Sequence, residues 1–488
     1  MAYSSARGRW VIAATVLGSG MASLDATVVG IALPSIARSF HIGVSSLQWV
    51  VTGYSLTLAA FILLAGSLGD RVGRRRIFSW GLAWFAIASA VCGLAPDSKF
   101  LILARTVQGV GGALLTPASL AILQASFRPD DRSRAIGAWS GLGGLAAAAG
   151  PLVGGYLIAV GSWRWVFFIN LPVAALVLVV SARHVPESRD PTAHGRLDLA
   201  GTALGVVFLT GLTYGLIEGA SQGWSSAPVL VALVGAGSAG AAFLVVERRI
   251  ENPMLPLRMF AVRQFSATNA VTFVVYGALG GALFLLPVEL QVVEGYSPLA
   301  SGLALLPVTL LMLVFSARSG RLASRIGPRL QMSVGPVVVG AGLFLLTQAT
   351  RGSSYLTYVL PGVLVLGAGL AITVAPLTAT AMASAPSERS GIASAVNNVV
   401  ARSAGLIAVA VLPVAAGISA SGTLEASSFA PGFRTAVIIA GALSVAGGVL
   451  AALLIRNPPP RPGPRLAPLR DWHCAVDGAP LQASPAGR

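Results

Sequence analysis

The sequence predicts an all-α, polytopic membrane protein with fourteen spans. Three observations carry this reading. Of the 488 residues, 55% are hydrophobic and only 10% charged, with a mean hydropathy of +0.79; a soluble domain is about 25% charged, so this chain lacks the polar surface to cover itself in water. The apolar residues run continuously over stretches near the roughly 20 that one helix needs to cross a bilayer, without the alternation of a transmembrane strand. The bases gather in alternate loops. A soluble enzyme and a disordered scaffold are excluded, and a β-barrel is disfavoured.

The elements follow from the apolar runs and the charged, proline or glycine residues that interrupt them. The first run, 10–33, follows Arg7 and Arg9 and ends at Pro34. With Met21-Ala22-Ser23 inside it, this stretch has features of a cleavable signal, but it continues past Asp25 to Ile36 and is too long for one. It is read as a retained first span. Runs 46–66 and 77–95 flank a loop rich in glycine and arginine, and 100–124 follows Asp97 and Lys99. Arg128, Arg132 and Arg134 precede 135–160, and 163–182 stops at Arg183. Runs 197–217 and 227–246 come next, the second closed by Glu247, Arg248 and Arg249. Run 264–290 begins after Arg263, 299–319 after Pro298, and 331–349 after Arg329. Runs 356–380, 391–417 and 432–455 complete the set, the last closed by Arg456. From Asn457 onward the chain, opening on three prolines and Arg461, reads as a disordered extension.

The charge pattern orients these spans. With the N-terminus inside, the outer loops hold only Arg38, Lys99, Arg164, Arg351 and Arg434, and two bases, Arg105 and Arg402, fall within spans; the rest of the 33 lie inside. That bias predicts cytoplasmic termini and an even number of spans. The net charge of +16 is therefore orientation signal, and nucleic acid is not an expected partner. Arginine supplies every base except Lys99, and with 57 glycines this composition points to a high-GC bacterium, hence to a bacterial inner membrane. Cys92 and Cys474 form neither a disulfide framework nor a CxxC pair, and all four histidines lie outside the apolar runs, so no metal site is expected. A Walker A loop is also absent from the sequence, which disfavours ATP hydrolysis.

Two segments repeat. Gly66-Ser-Leu-Gly-Asp70-Arg71-Val-Gly73-Arg74-Arg75, after the second span, matches Gly320-Arg-Leu-Ala-Ser324-Arg325-Ile-Gly327-Pro-Arg329, after the tenth, at an offset of 254. Asp131-Arg132-Ser133 matches Glu388-Arg389-Ser390 at an offset of 257. This divides the chain into a six-helix bundle over 1–190, two inserted helices over 191–254, a second six-helix bundle over 255–457 and a cytoplasmic tail over 458–488. Repeated halves around a cavity are a transporter architecture.

The motifs resemble those of the major facilitator superfamily, in its fourteen-spanner drug:proton antiporter branch. The loop with Gly66, Asp70, Arg71, Gly73 and Arg74 is similar to the superfamily's signature loop, where acid and base latch the cytoplasmic face while the cavity opens outward. A positive-inside loop that happens to contain Asp70 is the plainer alternative, and Ser324 in the second copy implies a weaker second latch. Gly141, Gly150, Pro151, Gly154 and Gly155 in the fifth span resemble the motif that marks exporters working by antiport. There the glycines allow close helix packing, here expected against span ten; generic small-residue packing is the alternative. Leu24-Asp25-Ala-Thr27 through Pro34 resembles the branch's first-span signature, with Gly30 where an Asn is usual. Arg105-Thr-Val-Gln108-Gly109 is similar to its basic motif. The segments Trp163 to Asn170-Leu-Pro172 and Leu286-Pro287-Val-Glu289-Leu-Gln291 match the branch as well.

Ionised groups inside hydrocarbon cost about 2.5–3.5 kcal/mol even on lenient scales and are functional candidates. Asp25 is the only acid well inside a run. It lies about 22 Å along its helix from Trp10, and Arg105 about 7 Å below the outer surface, so the two can meet. Burial favours a neutral Asp25 carboxyl and a nearby Arg105 favours the carboxylate, the balance a coupling acid needs. A static ion pair bracing spans one and four is the alternative. Glu289, Gln291, Gln108, Asn397 and Arg402 are candidate substrate-binding residues. Glu218 and Glu289 near the outer ends of their spans are either solvated rim residues or cation-binding ones. The resemblance implies a non-enzymatic monomer without cofactors. Its expected work is to export small amphipathic drugs, antibiotics or metabolites in exchange for protons. An importer of a nutrient or osmolyte and a non-transporting receptor or sensor are the alternatives.

Overall fold

A computed structural model describes residues 1–190, 197–250, 253–349, 354–385, 390–419 and 424–457. Arg351, the Glu388-Arg389 part of the second repeat and the tail over 458–488 lie outside the described residues. Among the described residues, fourteen helices are long and apolar enough to cross a membrane. They are α1 (Ala6–Phe40), α2 (Val44–Val72), α3 (Arg74–Gly93), α4 (Ser98–Ser126), α5 (Pro129–Val160), α6 (Trp165–His184) and α7 (Leu199–Gln222). The others are α8 (Ala227–Arg249), α9 (Arg263–Val293), α10 (Pro298–Ile326), α11 (Pro328–Gln348), α12 (Tyr355–Ala383), α13 (Ser390–Ala415) and α14 (Ala426–Leu454).

Most helices outrun the apolar stretches that announced them, because capping groups and not hydropathy end a helix. The Ser5 hydroxyl accepts from the Gly8 amide, so α1 starts before Trp10, and it continues through Pro34 to a left-handed His41. Pro129 at the first position of α5, with Asp130 and Asp131 in its first turn, starts that helix six residues before its apolar run. The Asp97 carboxylate caps α4 through the Phe100 amide.

Helices α1–α6 pack chiefly on one another, as do α9–α14. Three main junctions join the two sets, α5 against α10, α2 against α13 and α1 against α9, with a smaller contact of α1 on the start of α10. Helices α7 and α8 pair together, and α7 lies along both α2 and α13. The Glu218 carboxylate on α7 accepts from Trp49 Nε1 of α2 at 2.9 Å, and also from Ser221 and Gln222. It is thus a hydrogen-bonded tie between the inserted pair and the first set.

All three junctions close at one end, the end far from the chain terminus on α1. There Gln48 Nε2 donates to the Val409 and Ala410 carbonyls at 2.7 and 3.1 Å, and Gln291 Nε2 donates to the Ile31 carbonyl at 2.9 Å. A shared apolar core runs from Val28, Leu33 and Leu47 of the first set to Leu279, Leu285 and Leu412 of the second. Toward the terminus side the sets part. A side chain added at Gly137, Gly141, Gly143 or Gly144 of α5 would touch nothing, and Leu313, Val314 and Leu322 of α10 are exposed. The result is a cleft sealed at the far end and open at the terminus end.

Candidate functional site

The charged centre of the first set forms because α1 and α4 carry one ion each at the same depth. Asp25 is fully buried and Arg105 is 1% exposed. Arg105 Nη1 donates to Asp25 Oδ2 at 2.5 Å and to Gln108 Oε1, one helical turn on, at 2.7 Å. The other carboxylate oxygen, Oδ1, accepts from Gln108 Nε2 at 3.0 Å and from Asn170 Nδ2, at the head of the long segment of α6, at 3.1 Å. Charge-assisted bonds of this kind are about twice as strong as neutral ones, and they satisfy both oxygens of an anion that would otherwise be costly to bury.

A surrounding shell holds these groups in place. Asn170 also donates to Ser89 Oγ at 2.9 Å, and Ser89 in turn donates to the Phe167 carbonyl. Arg105 Nε reaches the Val50 carbonyl at 3.3 Å, and its guanidinium carbon lies 4.3 Å from the centre of the Tyr54 ring. Tyr54 is anchored by its hydroxyl to the Ala22 carbonyl. Cys92 Sγ lies 3.5 Å from Gln108 Oε1. Five helices therefore converge on one buried charge pair. Asp25, Arg105 and Gln108 were candidates from sequence. Asn170, Ser89 and Tyr54 were not, although Asn170 is a lone amide in an apolar run and that was the available signal.

The remaining candidates are dispersed. Asn397 donates to Asn269 Oδ1 and Thr272 Oγ1 at 3.1 and 2.8 Å, which ties α13 to α9. Gln291 ties α9 to α1, as described above. Arg402 on α13 makes no hydrogen bond or ion pair among the described residues, and its Nε is buried without a partner. It stands close enough to Tyr54 of α2 and Tyr276 of α9 to act on both electrostatically. Glu289 begins a π-helical turn, Glu289–Val293, that ends α9; it is 2% exposed and its Oε2 has no partner.

The glycine motif of α5 divides between two neighbours. A side chain at Gly150 or Gly154 would strike Thr27 or Val28 of α1, whereas one at Gly155 would strike Pro298 and Leu299 of α10. In return, Gly302 of α10 sits against the Pro151 carbonyl. Gly141 takes no part in these contacts.

Among the described residues, Asp70, Gly73 and Arg74 of the signature loop are held by contacts within their own half. Arg74 pairs with Asp70 at 2.8 Å, and Arg75 and Arg76 approach Glu187 at 3.9 and 4.0 Å. The Arg74 amide donates to the Ser188 carbonyl and the Asp190 amide to the Asp70 carbonyl, so the strand of chain after α6 lies along the loop. Gly73 has φ +132°, and Gly327, its counterpart in the repeat, has φ +86°; both turns need a residue without Cβ. Gly66 lies close to Pro117 of α4.

The sequence profile of the Major Facilitator Superfamily matches residues 15–410. The "Multidrug resistance protein Stp" of Mycobacterium tuberculosis (strain ATCC 25618 / H37Rv) is 39% identical over 413 residues, 84% of this chain and 76% of that one. The "Tetracenomycin C resistance and export protein" of Streptomyces glaucescens is 36% identical over 84% of this chain and 77% of its own. The "Methylenomycin A resistance protein" of Streptomyces coelicolor is 33% identical over 92% of both. Among solved structures, a bacterial homologue of the human lysosomal transporter Spinster, in an inward-facing, unoccupied conformation, superposes with a TM-score of 0.66. It is 17% identical, over 92% of this chain and 97% of that one, which speaks to the fold. Fourteen membrane-length helices among the described residues, twelve of them in two packed sets, a profile match across most of the length and relatives above 30% identity agree on one conclusion: the chain belongs to the major facilitator superfamily.

Proposed function

We propose that this chain is a proton-coupled antiporter exporting small amphipathic drugs, antibiotics or related metabolites across the bacterial inner membrane, with both termini in the cytoplasm. The observation that carries the reading is a fully buried Asp25–Arg105 pair within the first of two helix sets that meet at one end and part at the other. Relatives named for resistance and export support the substrate class. In this orientation the open end faces the cytoplasm, where the substrate is collected. The chain works as a monomer, needs no cofactor and is not an enzyme; the proton gradient supplies the energy.

The network suggests how protonation acts. A proton on Asp25 Oδ2 removes the anion that Arg105 holds, leaving Arg105 with Gln108 Oε1, the Val50 carbonyl and the Tyr54 ring. Separating a buried pair by removing one charge costs about 3–5 kcal/mol, enough to bias a two-state equilibrium. Binding of a proton from the far side and its loss toward the cytoplasm then reset the two conformations. The loop with Asp70, Arg71 and Arg74 engages the second half when the cytoplasmic end closes. Arg402, a cation without a partner beside Tyr54, is the group placed to sense a polar substrate atom.

Vesicles containing the Asp25→Asn variant test this reading. The variant should insert and bind substrate but show no drug-driven proton movement. Uphill, proton-coupled export by Asp25→Asn would overturn the assignment.

A further inference from the structure

The second set of helices contains a cavity of about 530 Å³ at its far end, within the 300–1,000 Å³ typical of small-molecule sites. It lies between the π-turn that ends α9, the end of α11 and the start of α14. Glu289, Val293, Thr347, Ala430, Phe433 and Arg434 contribute to its wall. It lies in the second set of helices, whereas Asp25 belongs to the first.

Glu289 distinguishes this cavity from a packing defect. It is buried, its Oε2 accepts no hydrogen bond, and no ion pair reaches it among the described residues. Thr347 does not help, because its hydroxyl donates to the Phe344 carbonyl. Arg434 is exposed and forms no ion pair with Glu289. A buried carboxyl group whose oxygen meets no donor is costly, and a cationic donor entering the cavity would relieve that cost. The rest of the wall is mainly apolar, and the Phe433 ring suits the body of an aromatic or cationic ligand. The π-turn that presents Glu289 is a geometry common at functional sites.

We propose that this cavity binds a small amphipathic amine, with its protonated nitrogen on Glu289 and its apolar body against Phe433 and Val293. In the orientation proposed above the site opens on the side where substrates are released.

The full chain in lipid nanodiscs, titrated with dansylcadaverine and followed by the probe's fluorescence, tests the proposal. The wild type should bind saturably. Glu289→Gln should weaken binding by about tenfold or more, the loss expected for a hydrogen bond to a charged group. Ser427→Trp, a change at an exposed position of the cavity wall, should weaken it comparably without touching the core. The N-acetylated, neutral probe should bind the wild type no better than dansylcadaverine binds Glu289→Gln. Three results would overturn the proposal: no saturable binding to the wild type, full affinity in Ser427→Trp or in Glu289→Gln, or equal binding of the neutral probe.

Discussion

Asp25 has two carboxylate oxygens and three donors, from Arg105, Gln108 and Asn170. Removing one partner leaves the others buried around an uncompensated charge, so single changes should be more harmful than paired ones. Arg105→Ala should destabilise the protein by about 3–5 kcal/mol, read as a lowered unfolding midpoint in detergent. Asp25→Asn combined with Arg105→Gln should recover a large part of that loss. A double variant as unstable as the sum of the two singles would mean that the pair does not interact energetically. Asn170→Ala should cost about 1–3 kcal/mol, because it strips a donor from Oδ1 and an interaction from Ser89.

At the scale of elements, the closest approach between the two sets is α5 on α10, where Gly155 and Gly302 each lie against the partner's backbone. Any side chain there must push the helices apart. Gly155→Leu should disfavour the far-side seal by about 1–3 kcal/mol, the usual cost of overpacking, and slow transport about tenfold or more through the shifted population. Spin labels at the exposed Val160 and Leu303 should then report a longer, broader separation; an unchanged distance would show that the glycines are not needed for the approach. The turn at Gly73 is a second such place. Gly73→Leu combines a left-handed backbone, costing about 1–2 kcal/mol, with a collision against Glu187, and should free the segment after α6 from the loop. Faster proteolysis near Arg189, without loss of membrane insertion, is the expected sign.

On the scale of the molecule, the cleft and the orientation make separate predictions. A water-soluble maleimide should label Gly141→Cys and not Gly155→Cys, because only the first faces open space. Adding substrate and a proton gradient should reduce the Gly141→Cys labelling as the cleft closes. Reporter fusions at Asn457 and Gly223 should report cytoplasm and exterior respectively; an exterior Asn457 would reverse the transport direction assigned above.

The sequence by itself determined the membrane class, the number of spans and the family, because those depend on local quantities. An apolar run long enough to cross a bilayer forms a helix wherever its partners lie, and a motif such as Gly66 to Arg74 is read from adjacent residues. It also singled out Asp25 and Arg105, since a charge in hydrocarbon stands out against its own neighbours. Only the tertiary structure decided what those charges meet. Asn170, Ser89 and Tyr54 join the network because α2, α3 and α6 converge there, a relation between segments distant in the chain that no spacing encodes. The same holds for Asn397, which ties two helices of one half together, and for Glu289, whose missing partner is visible only once the surrounding walls are in place. The conformation too was beyond the sequence. Which contacts join the two sets, and at which end, follows from the packing of segments distant in the chain.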